Sequence, residues 1–135
     1  MNEPTDLVFD SWALLAYLQG EAPVKQMIEL LTKAHETGAS MAMSTVNAGE
    51  VWYITDQRRG SDEADRAIEV IRSLGIEIVD TNWTTTLQAA RYKTNGGISY
   101  ADCFAAALAK HRSATLVTGD PEFKRVEKDI SITWL

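Results

Sequence analysis

The chain has 135 residues, 45% of them apolar and 24% charged, which suits one domain able to bury a real core without staples. Its net charge of −6 argues against a protein that grips duplex DNA chiefly through Lys and Arg, so direct duplex-DNA binding by this chain alone is not expected. The charge leaves room for a nuclease in which metal ions supply the positive charge at the phosphate. The single cysteine, Cys103, excludes an internal disulfide and reads as a small buried hydrophobe in a reducing cytoplasm.

Short apolar runs alternate with helix-like segments, as in a sheet built from βα units. LVF (7–9) reads as a first strand, followed by a helix to about Leu18 that Asp10 or Ser11 can cap and Gly20 can end. A second helix is expected from about Pro23 to Thr37, with Val24, Met27, Ile28 and Leu31 as its apolar stripe. MAMS (41–44) gives a second strand and 46–59 a helix stopped by Gly60. Ser61 or Asp62 is expected to cap the next helix, to about Ser73. IEIV (76–79) is a third strand and 83–93 a helix closed by Gly96 and Gly97. Ser99 caps a helix to about His111, TLVT (115–118) is the fourth strand, a short helix spans 121–126, and ISITW (130–134) closes the chain. Met1–Asp6 lacks a basic stretch ahead of a long apolar run, and no run approaches the ~18–20 residues that span a bilayer. A cytoplasmic protein without a membrane partner is therefore expected.

Four acids interrupt this pattern, each the sole charge of its neighbourhood. Asp10 stands alone in 7–20, Glu50 in 37–55, Asp102 in 94–109 and Asp120 in 113–121. A carboxylate in a core-like segment loses several kcal/mol of hydration, about the cost estimated for a buried ion, unless something neutralises it. Ligands of an open parallel sheet bind outside the carboxyl ends of its strands. Asp10 follows strand one, Asp120 follows strand four, Asp102 falls in the first turn of its helix and Glu50 in the first or second turn of the helix after strand two, and both helices start at that edge. All four thus map to one edge, where bare carboxylates would repel and one shared cation would hold them. An oxygen-only set is the hard-ligand chemistry of Mg²⁺ or Mn²⁺, in one or two ions, rather than of zinc; His35 and His111 lie in charged, exposed-looking helices and are not read as ligands.

Each acid also has a structural reading. Asp10 can be an N-cap, Asp102 the partner of Ser99 in a capping-box-like pair, and Asp120 in TGDP an ordinary turn residue. Glu50, in VNAGEVWYI, has neither a local ion partner nor a capping position. Around the acids, Asn47 lies one helical turn before Glu50, Ser11 and Thr118 flank the strand-end acids, and Ser44 ends strand two; these four can support the site or serve as caps. Glu122 can be a fifth acid or an exposed helix-end charge. The basic clusters at Arg58-Arg59, Lys124-Arg125 and Lys110 to Arg112 read as solvated helix-end charge.

LVFDSWALLAYLQGE, STVNAGEV, SYADCFAAALAKHR and TLVTGDPEF, in that order over essentially the whole chain, resemble the PIN-domain nucleases, and in particular the VapC-type toxins of type II toxin–antitoxin (VapBC) systems. The resemblance implies a single α/β PIN domain over 1–135, Rossmann-like, with three α/β/α layers around a mainly parallel five-stranded sheet. It places Asp10, Glu50, Asp102 and Asp120 at the family's acidic positions and Thr118 at its hydroxyl. It further implies Mg²⁺- or Mn²⁺-dependent cleavage of RNA, homodimerisation, and neutralisation by a cognate VapB-type antitoxin. The chain departs from the pattern at Trp12, where a smaller residue is usual; that indole belongs either to core or dimer packing or to a pocket rim. Two rivals remain open. One is a non-toxin or catalytically inactive PIN-like module. The other is a phosphoacceptor signalling domain with Asp80 as acceptor, although the paired acids after strand one and the lysine after the last strand that such a domain needs are missing.

Overall fold

The computed structural model describes residues 5–135, so the reading of Met1–Asp6 as lacking a leader falls largely outside the described residues. Strand β1 (Leu7–Phe9) is followed by helices α1 (Ser11–Leu18) and α2 (Val24–Thr37), and β2 (Met41–Ser44) by α3 (Thr45–Arg59) and α4 (Ser61–Ser73). Strand β3 (Ile76–Val79) leads into α5 (Trp83–Thr94) and α6 (Tyr100–Arg112), then β4 (Thr115–Thr118), a 3-10 helix (Pro121–Val126) and β5 (Ile132–Trp134).

The strands form one five-stranded sheet in the order β3-β2-β1-β4-β5. Every pairing among the described residues is parallel, with Leu7 opposite Met41 on one side and Thr115 on the other. A parallel sheet is covered on both faces, which is why β1, β2 and β4 read as apolar runs rather than alternating ones. Side chains still alternate across the sheet. Val8, Ala42 and Leu116 enter a core with Phe104, Leu108 and Phe123, whereas Leu7, Phe9, Met43 and Val117 enter a second core with Leu14, Met27, Val51 and Ile71. Two cores on opposite faces of one sheet give the three layers that the resemblance implied.

Helix α6 is buried continuously from Asp102 to Ala109, and its alanines let it lie close against the sheet, α3 and α5. An acid in its first turn is therefore carried into the interior. Turn chemistry departs from expectation in two places. Neither Ser61 nor Asp62 caps α4: Gly60 occupies the cap at φ +90°, a conformation suited to glycine, and the Ser61 hydroxyl instead donates to Asp56 Oδ1 of the preceding helix at 2.6 Å. The last strand begins at Ile132 rather than 130, because the Ile130 amide is engaged with the Val126 carbonyl in a turn.

Candidate functional site: an acidic cluster at the strand ends

Asp10 closes β1 and caps α1, its Oδ1 accepting from the Ala13 amide at 2.9 Å. The structural and the functional readings of Asp10 are thus compatible, since the cap uses one oxygen and leaves the other. That second oxygen, Oδ2, accepts from the Thr118 hydroxyl at 2.6 Å. Thr118 Oγ1 in turn accepts from the Asp120 amide at 3.0 Å, so one hydroxyl ties the ends of neighbouring strands β1 and β4 together. Asp120 caps the 3-10 helix, with its Oδ1 accepting from the Glu122 amide at 2.9 Å.

The other acids arrive from helices. The Ser99 hydroxyl accepts from the Asp102 amide at 3.3 Å, which is one half of a capping box. The Asp102 side chain also meets other acids: one oxygen from each of Asp102, Asp120 and Glu122 lies within 4.8 Å of the others. Glu50 receives a hydrogen bond from the Ser11 hydroxyl, which links α3 to α1. Ser44 caps α3 through the Val46 amide at 3.2 Å, and so has a structural role. Asn47 is fully buried and donates from Nδ2 to the Ala101 carbonyl, next to Asp102, at 3.0 Å; its Oδ1 has no hydrogen-bond partner among the described residues.

Burial drives the electrostatics. Asp10 is 0% exposed, and desolvation lifts its pKa from 3.8 to about 7 against the hydrogen bonds from Thr118 and Ala13, with Asp120 and Glu50 adding repulsion. Asp102 is also raised, first by burial, then by a hydrogen bond shared with Glu122, then by Asp120 and Asp10, against a hydrogen bond from Ser99. Each buried acid thus feels acids from other elements, and neither has a lysine or arginine among the groups that shift it. A divalent cation would reverse both effects. The residues present fit one: an all-oxygen donor set, converging negative charge, and a buried amide oxygen left without a partner.

Trp12 bears directly on this arrangement. A Cβ placed on Gly119 would lie 2.3 Å from Trp12 Cη2 and 2.4 Å from Cζ3, so the indole rests on the bare backbone between Thr118 and Asp120. The tryptophan is accommodated because position 119 has no side chain.

The family model of the PIN domain matches residues 7–129, spanning every element from β1 through the 3-10 helix. The chain belongs to the PIN-domain family. Its solved structural relatives share the PIN fold at low identity. VapBC2 from Rickettsia felis, bound to a DNA fragment from its promoter, superposes with a TM-score of 0.74 at 20% identity, covering 94% of this chain and 96% of that one. DNA-bound VapBC from Salmonella typhimurium gives 0.72 at 16% identity, over 96% and 98%. The sarcin–ricin-loop-cleaving toxin VapC20 of Mycobacterium tuberculosis gives 0.72 at 16%, over 88% and 93%. Among curated protein sequences none matches this chain.

In this PIN fold Glu122, which the sequence left between a fifth acid and a solvated helix end, is exposed and yet part of the acidic cluster. Its spacing from Asp120 could have signalled this, since the cap that Asp120 forms holds residue 122 close. His35 lies apart, its Nε2 at 2.9 Å from the Leu74 carbonyl. Asp80 is exposed at the end of edge strand β3, with β2 between it and β1, away from where a strand-one phosphoacceptor pocket would form. Cys103 is free and buried, as expected. No helix among the described residues is long and apolar enough to cross a membrane.

Proposed function

We propose that this PIN domain, a single unit over residues 1–135, is a metal-dependent endoribonuclease of the VapC type: a cytoplasmic, homodimeric toxin neutralised by a cognate VapB-type antitoxin. The observation that carries the nuclease reading is the convergence of Asp10 from the end of β1, Asp102 from the first turn of α6, and Asp120 and Glu122 from the start of the 3-10 helix, with no ion pair to lysine or arginine among the described residues. The toxin reading is supported by relatives solved as VapBC assemblies and by one described as cleaving the sarcin–ricin loop.

Asp10, Asp102 and Asp120 are the proposed ligands of Mg²⁺ or Mn²⁺, in one or two ions, with Glu50 and Glu122 completing the acidic wall. Such an ion supplies Lewis acidity, activating water and stabilising charge on the phosphate. Thr118 holds Asp10 and Asp120 at a fixed separation through its two hydrogen bonds. Ser11 orients the Glu50 carboxylate, leaving it placed to accept a proton from an attacking water. Asn47 anchors the first turn of α6 through Ala101 and offers Oδ1 to a water or ion.

The test is cleavage of total cellular RNA with Mg²⁺ or Mn²⁺ and with chelator, by wild type and by Asp102→Asn, with the cut sites mapped. Metal-dependent cuts bearing 5′ phosphates, lost in the variant, are expected. Full activity of Asp102→Asn, or none in the wild type, would overturn the reading.

A further inference from the structure

An acidic cluster faces a difficulty with its own substrate: a polyanion approaching carboxylates in a chain of charge −6 is repelled at the distances where salt does not screen. Uncompensated cations close to the acids would offset this. Three cations are already neutralised by carboxylates: Lys110 by Asp129, Arg112 by Glu77, and Arg66 by Glu63. Arg125 is different. It forms no ion pair or side-chain hydrogen bond among the described residues, and its guanidinium lies on the backbone of Gly97, where a Cβ would meet Nε at 2.5 Å and Cζ at 2.7 Å. Gly97 has φ +76°, so both its conformation and the close approach call for glycine.

The position of Arg125 follows from helix geometry. A 3-10 helix has three residues per turn, so side chains three apart lie one above the other, separated by about 6 Å of rise. Arg125 therefore stands one turn behind Glu122 on the same side of the Pro121–Val126 helix, next along from a member of the acidic cluster. On its other flank, Gly97 precedes by two residues Ser99, the cap of the helix that delivers Asp102. The guanidinium thus bridges the two segments that bring Glu122 and Asp102 to the site.

A cavity of about 260 Å³ opens beside it, lined by Arg125, Lys128, Asn95, Gly96 and the Tyr92–Asp129 pair. The one acid there, Asp129, is held below the usual carboxylate range by Lys110 and then by the Tyr92 hydroxyl, so it is already satisfied. Lys93 reaches the same loop, with its Nζ donating to the Ile98 carbonyl at 2.9 Å and no carboxylate partner among the described residues. The cavity wall is consequently net cationic.

We infer that Arg125, with Lys128, forms a subsite for a backbone phosphate of single-stranded RNA adjacent to the scissile one. This rests on the nuclease reading for its substrate. The planar guanidinium offers paired donors matched to phosphate oxygens, and its seat on Gly97 limits the rotamer freedom lost on binding. Lys128 adds a point charge at the rim. A contact of this kind positions the strand without reading its sequence.

The experiment compares wild type, Arg125→Gln and Arg125→Lys. Cleavage kinetics on a short single-stranded RNA are measured, together with binding of the same RNA to the Asp10→Asn forms across a salt series. Arg125→Gln is expected to raise KM about tenfold with kcat within twofold, and to make the slope of log K against log salt shallower by about 0.7. Arg125→Lys should keep the slope and recover only part of KM. Melting temperatures should agree within a degree or two, since the side chain is exposed. An unchanged salt slope and KM in Arg125→Gln overturns the subsite. So does a fall in kcat and metal affinity without a change in slope, because that would make Arg125 a support of the acids. A wild type that cleaves nothing refutes the nuclease reading, while the binding arm still reports on Arg125.

Discussion

Replacing Asp10 by asparagine removes a carboxylate that the fold buries completely, and the consequence for stability has a definite sign. The pKa of Asp10 rises from 3.8 in its ordinary state to about 7 in the folded chain. Between those values the folded protein holds a proton that the unfolded chain has released, so stability falls as pH rises through that window and levels off above pH 7. At about 1.4 kcal/mol per pKa unit, the full shift of about 3 units corresponds to roughly 4 kcal/mol lost by pH 8. The substituted amide would keep the acceptor for the Ala13 amide but not the acceptor for the Thr118 hydroxyl, a loss of about 1 kcal/mol. In chelator, then, Asp10→Asn should be slightly less stable than wild type at pH 4 and more stable by about 3 kcal/mol at pH 8. That corresponds to a melting temperature higher by about 10 °C for a chain of this size. Thermal melts of the two proteins from pH 4 to 8, read as their difference, cancel the titration of groups that do not feel Asp10; Asp102, which Asp10 repels, should titrate more easily in the variant and add to the difference in the same direction. Adding Mn²⁺ at about a hundred times its Kd should then stabilise wild type at pH 8 by about 2.7 kcal/mol and leave the variant unmoved. A difference that stays flat from pH 4 to 8 would refute the electrostatic account of the site.

Asp102→Asn and Asp120→Asn should each abolish metal-dependent RNA cleavage while the far-ultraviolet circular dichroism remains that of the wild type. Glu122→Gln should weaken activity by about 10- to 100-fold rather than abolish it, the range typical of groups that support ligands, as measured by kcat/KM on one RNA. Thr118→Val should cost about 1–3 kcal/mol in a urea melt, because the Asp120 amide loses its acceptor and Asp10 a donor. Gly119→Ala should lower Mn²⁺ affinity by displacing the indole or the turn beneath it, and Trp12→Ala in the same chain should restore part of the loss; strict additivity of the two changes in Mn²⁺ titrations would contradict the contact.

The sequence was most legible where one physical cause dominates. Short apolar runs between helix-like segments marked the strands, and the solitary charges of Asp10, Glu50, Asp102 and Asp120 marked residues close enough in the structure for Asp10 to feel Glu50 and Asp120, and Asp102 to feel Asp120 and Asp10. Asp10 and Asp120 prove to be caps as well as cluster members, since a carboxylate has two oxygens and a cap occupies one. Where two causes compete, the pattern misled. Ser61 has the composition of a cap, but its hydroxyl is drawn to Asp56 across the tight turn at Gly60. Glu122 sits in a run of charges, so the rule of the isolated acid did not single it out, and only the cap at Asp120 brings it in. The basic pair Lys124-Arg125 looked like solvated helix-end charge because nothing in its spacing reveals the glycine it rests on. Contacts between distant segments of this kind have no local signature.

The Trp12 indole and the bare backbone of Gly119 fit like a lid and its seat, and this restricts how the sequence can drift. A bulkier residue at 119 is admitted only after 12 has become smaller, whereas a smaller residue at 12 leaves 119 free to grow. The order of substitution is therefore fixed, and sequences descended from this chain should lose the tryptophan before they lose the glycine.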